Sequence, residues 1–233
     1  MSIDALSTRD RVLRAAAGLL AGGGREAVST RAVSAAAGVQ APTLYRLFGD
    51  KEGLLGAVAA YGFEEYLASK HRLGETGDPV ADLRRGWDLH VDFGLSRPAF
   101  YALMYGDARP GVPSAAARDA ERILERMISR IAGSGRLRMS VERAARMVHS
   151  AGVGVTLTLI ATDPDKRDLE LSALTREAVL RAITTDDSSA AHGPAADVAS
   201  RALALQAALP DDDPRLTDAE RALLTEWLDR LAR

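Results

Sequence analysis

The chain has 233 residues, 47% of them hydrophobic and 27% charged, with a net charge of −2. That is enough apolar material for one large or two small domains, and the charge balance excludes a general nucleic-acid-coating protein. Absence of cysteine excludes disulfides and thiolate chemistry and fits a reducing compartment such as the cytoplasm.

Asp4 and Asp10, with no long apolar run near them, argue against a signal peptide. The longest mostly apolar run, 151–161, is too short to span a bilayer, so no membrane association is expected. Charge is unevenly divided: residues 1–56 balance to +2 and the remainder to −4. Alanine and leucine dominate and alternating β-branched runs are few, which predicts an all-α fold.

The first helix begins after a Ser7 or Thr8 cap, carries Val12, Ala16, Leu19 and Leu20 at amphipathic spacing, and stops at Gly22-Gly23-Gly24. Ser29 or Thr30 caps a second, short helix with Val33 and Ala37 on one face. Gly38 ends it in a left-handed conformation. Pro42 is suited to the first position of a third helix, whose Leu44, Leu47 and Phe48 point inward. Gln40, Ala41, Thr43, Tyr45 and Arg46 are left outward. Gly49 breaks this helix, Asp50 caps the next, and Lys51 stands at its first turn, where free amides and charge together suit a phosphate. Two short helices about a glycine turn, the second with a polar and basic outer face, read as a helix-turn-helix unit.

Residues 8–55 resemble the N-terminal domain of the tetracycline-repressor (TetR/AcrR) family of bacterial transcription regulators. The likeness rests on Ala15-Ala16, Ser29-Thr30-Arg31, Ala37-Gly38-Val39, Thr43-Leu44-Tyr45, Phe48, Asp50-Lys51-Glu52 and Leu54-Leu55. It implies that Thr30 and Arg31 touch backbone phosphate or a flanking base. It also implies that Gln40, Ala41, Pro42 and Thr43 face the major groove, that the Tyr45 hydroxyl binds phosphate, and that Lys51 anchors the fourth helix. Gly18 weakens the first helix, Leu20 stands where an aromatic is usual, and Leu47 replaces a frequent histidine or tyrosine. The last departure shifts backbone affinity toward Arg46.

Beyond the head, helices are predicted over 51–69, 80–95, 98–105, 114–131 and 140–162, with a last standard helix over 169–183. Loops are predicted at 74–79 and 106–113. The stretch RAARMVHSAGVGVTLTLIA is apolar nearly all round, so it is buried on more than one side. The resemblance implies that this helix and the next form a four-helix bundle with a second copy, placing Gly152, Val155, Thr156, Leu159, Leu174 and Ala178 at a homodimer interface. It also implies an effector cavity in the body, for which Tyr66, Trp87, His90, Phe100, Met104, Met127, Met147 and Ser150 are the candidates. A small apolar or amphipathic molecule is its expected occupant.

Residues 186–197 read as a linker. Val198, Ala202, Leu205 and Leu209 then make one helix face. Thr217 and Glu220 form a capping box before a helix with Leu224, Trp227, Leu228 and Leu231 on one stripe. The expected domains are therefore 1–50 (helix-turn-helix), 51–185 (effector binding and dimerisation) and 186–233 (linker and two-helix extension).

His71, His90, His149 and His192 lack metal-ligand spacing, and no nucleophile elbow, P-loop or dinucleotide fingerprint occurs. No enzyme activity, metal or cofactor is expected. The expected function is a ligand-responsive regulator, a repressor that binds a palindromic double-stranded operator as a homodimer. The competing expectation is a helical small-molecule carrier that does not bind DNA.

Overall fold

A computed structural model describes residues 7–106, 115–185, 194–210 and 213–232. Eleven α-helices occur among them: α1 (Thr8–Ala27), α2 (Thr30–Ala37), α3 (Ala41–Phe48), α4 (Lys51–Arg72), α5 (Pro79–Ser96), α6 (Pro98–Tyr105), α7 (Ala115–Gly133), α8 (Val141–Ala161), α9 (Glu170–Ile183), α10 (Pro194–Ala208) and α11 (Asp218–Leu231). No strand is present among the described residues, only an isolated bridge between Leu137 and Thr184. The fold is all-α.

Local chemistry sets most of the boundaries. Ser7, Ser29, Asp50, Asp78 and Ser140 each accept an N-terminal amide of the helix they precede. Helical geometry in α1 is interrupted at Gly23 and Gly24, so the glycine run does end the regular helix, and one more turn follows it. Gly38 sits at φ 62°, ψ 41° and ends α2 in the left-handed region. Ala41, not Pro42, opens α3, and the proline follows in the same first turn. Helix α4 runs past Ser69 to Arg72, where Lys70, His71 and Arg72 complement the negative end of the helix dipole.

Two apolar cores form. The first joins Val12, Leu13, Ala16 and Leu20 of α1 with Val33, Leu44, Leu54, Leu55 and Val58, and continues through Phe63 to Phe100 and Tyr101. The α1–α3 head is thus packed without interruption onto α4 and α6, and α6 lies directly against α1. The second core holds Leu83, Trp87, Ile128, Ile131, Val148, Val155, Leu159, Leu180 and Ile183 from α5, α7, α8 and α9, with Leu137 from the α7–α8 connection.

Polar links stiffen the body. Trp87 donates its indole N–H to Ser172 (3.0 Å), Arg84 pairs with Glu177 (3.1 Å), and Arg176 pairs with Asp88, all joining α5 to α9. Asp82, only 2% exposed, accepts from the Thr76 amide and hydroxyl, from Arg85 and from Arg130. Burial alone would raise this carboxyl, but those hydrogen bonds outweigh it and hold it well below the usual carboxylate range.

Several expectations are corrected. Helix α8 spans 21 residues and is long and apolar enough to cross a membrane, because it begins ten residues before the run at 151–161. Within the fold it packs against α5, α7 and α9 as the central helix of the body. Leu169 is exposed, since it precedes α9 and does not lie on its inner face. Helix α10 begins at Pro194, so the expected linker ends earlier, and its remainder lies outside the described residues, as does the loop after Gly106. On α10 the buried pair is Ala202 and Leu203, while Val198 and Leu205 are exposed. The α11 stripe buries only Leu228 and leaves Trp227 and Leu231 outside, with α11 packed against α10. Its capping box forms as expected.

Candidate nucleic-acid interface and effector cleft

Helices α2 and α3 meet at Gly38 and Val39, and the buried faces of both point into the α1–α4 core. Leu44 anchors α3 at 3% exposure, while Tyr45 is 55% exposed and Gln40, Pro42 and Arg46 are also exposed. Thr30, Ala41 and Thr43 are partly buried, and Arg31 and Lys51 are exposed. Among the described residues, Arg31, Arg46 and Lys51 form no ion pair, so their charges are available at the surface. All nine expected residues lie along α2, α3 and the start of α4.

That surface is held in position by three devices. Asp50 caps α4 by accepting the Gly53 amide at 2.7 Å. Arg25 clasps Glu52 through both carboxylate oxygens, at 2.9 and 3.2 Å, and so ties the end of α1 to the first turn of α4. The Arg9 guanidinium lies 5.5 Å over the Phe48 ring, a cation–π contact from α1 to the end of α3. Gly53 is required by close approach: a Cβ there would stand 2.0 Å from the Phe48 carbonyl oxygen.

In the body a narrow cleft opens between α4, α5, α7 and α8. Its wall comprises Tyr66, Lys70, Leu83, Gly86, Trp87, His90, Tyr105, Ala120, Leu124, Met127, Val148, His149 and Gly152. It encloses about 450 Å³ counted to its open mouth. Four expected cavity residues line it: Tyr66, Trp87, His90 and Met127. Phe100 does not, because its ring packs over Gly62 of α4 in the head-side core. Met104 packs against that same core. Met147 and Ser150 line a separate, open hollow on the outer face of α8 with Arg143, Arg146, Ala151 and Val179.

Sequence reasoning missed Lys70, Tyr105 and His149. Lys70 stands four residues after Tyr66 and shares its helix face, which is the signal that was there to be read. His90 bridges two phenols, with Tyr66 Oη 3.1 Å from Nδ1 and Tyr101 Oη 2.7 Å from Nε2. Burial, followed by the nearby Lys70 and His149, lowers the imidazole to about 3. The ring is therefore neutral, with one nitrogen donating and the other accepting. Burial likewise pushes the Tyr66, Tyr101 and Tyr105 phenols up, so they stay protonated donors.

The expected interface residues on α8 are also corrected. Gly152, Val155, Thr156 and Leu159 are buried inside the protomer, where Gly152 faces His90 and Trp87, and a Cβ at Gly94 would meet Thr156 at 2.2 Å. Leu174, at 60% exposure, and Ala178 lie outside on α9.

A sequence profile of bacterial regulatory proteins, tetR family, matches residues 12–58, most of the head and the start of α4. No curated protein matches the chain. The TetR family transcriptional regulator PfmR from Thermus thermophilus is 27% identical, with a TM-score of 0.55 over 74% of this chain and 98% of its own. A variant TetR from Acinetobacter baumannii AYE, solved in complex with minocycline, is 25% identical, with a TM-score of 0.55 over 74% of this chain and 92% of its own. A bacterial regulatory protein in the tetR family from Rhodococcus RHA1 shares the fold, at 21% identity and a TM-score of 0.59 over 78% and 100%. Residues 12–58 thus carry the tetR-family regulatory signature, and the body behind them has the fold of TetR-family transcription regulators.

Proposed function

We propose that the chain is a repressor: two copies bind a palindromic operator in the cytoplasm and leave it when a small molecule enters the body cleft. The observation that carries this reading is the path between the two sites. Helix α4 bears Lys51 at the DNA end and Tyr66 and Lys70 in the cleft wall. Helix α6 bears Tyr105 in the wall and packs on α1 of the head. A ligand that displaces Tyr66 or Tyr105 acts on both supports of the head at once. Reducing operator affinity tenfold needs about 1.4 kcal/mol of coupling between the sites.

On the DNA side, Gln40, Ala41, Pro42 and Thr43 read bases, while Thr30, Arg31, Tyr45, Arg46 and Lys51 hold the backbone. Tyr45→Phe is expected to weaken binding about tenfold per half-site on every operator variant, by removal of one charge-assisted hydrogen bond in each. Thr43→Ala or Gln40→Ala is expected to change which bases are preferred. Gel shifts on the DNA upstream of the protein's own coding sequence, with salt titration, measure both. A Tyr45→Phe variant with altered base preference and unchanged overall affinity would reverse the assigned roles. A protein indifferent to duplex DNA at low salt would favour the carrier reading.

The second copy docks on the outer face of α8 and on α9. Met147, Ala151, Gly154 and Thr158 share one stripe of α8 that is partly or fully exposed, and Leu171, Leu174 and Ala178 adjoin it on α9. A two-fold interface there sets the paired α3 helices about 34–36 Å apart along the duplex. Leu174→Arg is expected to shift the dimer toward monomer by about 100-fold or more in dissociation constant, as a charge replaces an interface leucine. Sedimentation of this variant at wild-type dimer strength would place the interface elsewhere.

A further inference from the structure

The cleft wall carries a cation with no anion opposite it. Lys70, in the last turns of α4, is partly buried with its Nζ 5.1 Å from the centre of the Tyr66 ring. No carboxylate pairs with it among the described residues. Among the described residues the wall holds Lys70, His90, His149 and two phenols, and neither aspartate nor glutamate.

Acids near Lys70 on its other side are already committed. That side borders a second hollow containing Glu75 and Asp82. Arg85 and Arg130 hold Asp82, each at 2.6 Å, and Arg130 also pairs with Glu75 at 3.4 Å. Glu121 stands near His149 but is exposed and outside the wall. Burial draws the Lys70 ammonium down to about 8, the consequence of a charge in poor solvent without a partner.

We propose that the effector is an amphipathic carboxylate, its anion held by Lys70 and its apolar part lying along Leu83, Trp87, Leu124 and Met127. This deepens the reading of the cleft as the effector site and rests on it. An anion entering the cleft recovers attraction that the desolvated ammonium lacks, and an alcohol of equal shape does not. His90 cannot take the role, being neutral and committed to Tyr66 and Tyr101. The narrow volume selects a single ring or a short acyl chain over larger molecules.

Isothermal titration of the full chain at pH 7, without DNA, tests this with matched pairs: 3-phenylpropionate against 3-phenylpropanol, and the C6 to C10 fatty acids against their alcohols. At least one acid is expected to bind tenfold or more tighter than its alcohol. In a Trp227→Phe background the same acid is expected to change the fluorescence of Trp87, the remaining tryptophan. Lys70→Met is expected to bring acid and alcohol within about twofold of each other, and Lys70→Arg to keep the preference. The proposal is overturned if no acid in the series exceeds its alcohol, absence of all binding included, or if Lys70→Met retains the preference. Because no DNA is present, the outcome is separable from the regulator reading. Loss of operator binding would leave the charge preference standing, and operator release by an uncharged ligand would refute the carboxylate alone.

Discussion

Replacing Gly53 by alanine is expected to weaken operator binding by about 100-fold or more, whereas a neighbouring substitution of the same kind is expected to leave it unchanged. The new methyl group meets the Phe48 carbonyl oxygen at 2.0 Å, and that oxygen already accepts the Asp50 amide at 3.0 Å. Backbone cannot rotate aside as a side-chain tip does. The end of α3 must therefore separate from the first turn of α4, breaking the Asp50 cap and the Arg25–Glu52 clasp. Overpacking of this kind costs about 1–3 kcal/mol and occasionally more, a large share of what a small helical head has to spare. Since α3 leaves the core at an angle fixed by this junction, operator affinity is expected to fall by about 100-fold or more, some 2.7 kcal/mol. Gly56, three residues on, has open space beyond it, so Gly56→Ala is expected to gain about 0.5–1 kcal/mol in helix propensity and to bind normally. Paired urea titrations and gel shifts check both. Wild-type binding by Gly53→Ala would show that the α3–α4 junction does not set the reading surface.

Asp82→Ala is expected to produce the largest loss of stability in the body. This carboxylate gathers Thr76, Arg85 and Arg130, and with them the 73–78 turn, α5 and α7. Removing it takes the carboxylate partner from Arg85 and leaves Arg130 only the longer pair with Glu75, and breaking such a pair is worth about 3–5 kcal/mol when both partners are fully buried. Arg85 and Arg130 reach solvent at 39% and 29% side-chain exposure, so about 2–3 kcal/mol is expected here. The sign of the pH dependence follows from the depressed carboxyl. Its contribution is complete above the ordinary aspartate range, near pH 4, and is lost as pH falls toward the lower folded value. The stability gap between wild type and Asp82→Ala should be widest at neutral pH and should narrow progressively below about pH 4. A gap that stays constant from pH 7 to pH 3 would mean that the carboxylate's charge is not what holds the turn.

Legibility from sequence tracked the range of the forces involved. Ser29, Asp50 and Thr217 with Glu220 announce helix starts because a cap is settled within four residues. The face of α8 was not legible. RAARMVHSAGVGVTLTLIA is apolar on every side, so periodicity could not say that Gly152 and Thr156 look inward to α5 while Ala151 and Gly154 look out. A similar ambiguity hid the cleft. Met104 and Tyr105 are adjacent on α6, and only the packing of α6 on α4 and α5 decides which one reaches the wall. Asp82 was invisible for another reason: in sequence it resembles any surface acid of a helix start, and its partner Arg130 lies 48 residues away.

Helix α10 packs against α7, the helix that presents Ala120, Leu124 and Met127 to the cleft, and α11 packs against α10 in turn. Tail substitutions can thus press that wall inward or let it relax, with every ligand-touching and base-touching side chain left intact. Under the proposed function, effector preference and operator preference are separately adjustable traits, one tuned through the C-terminal helices and the other at the groove.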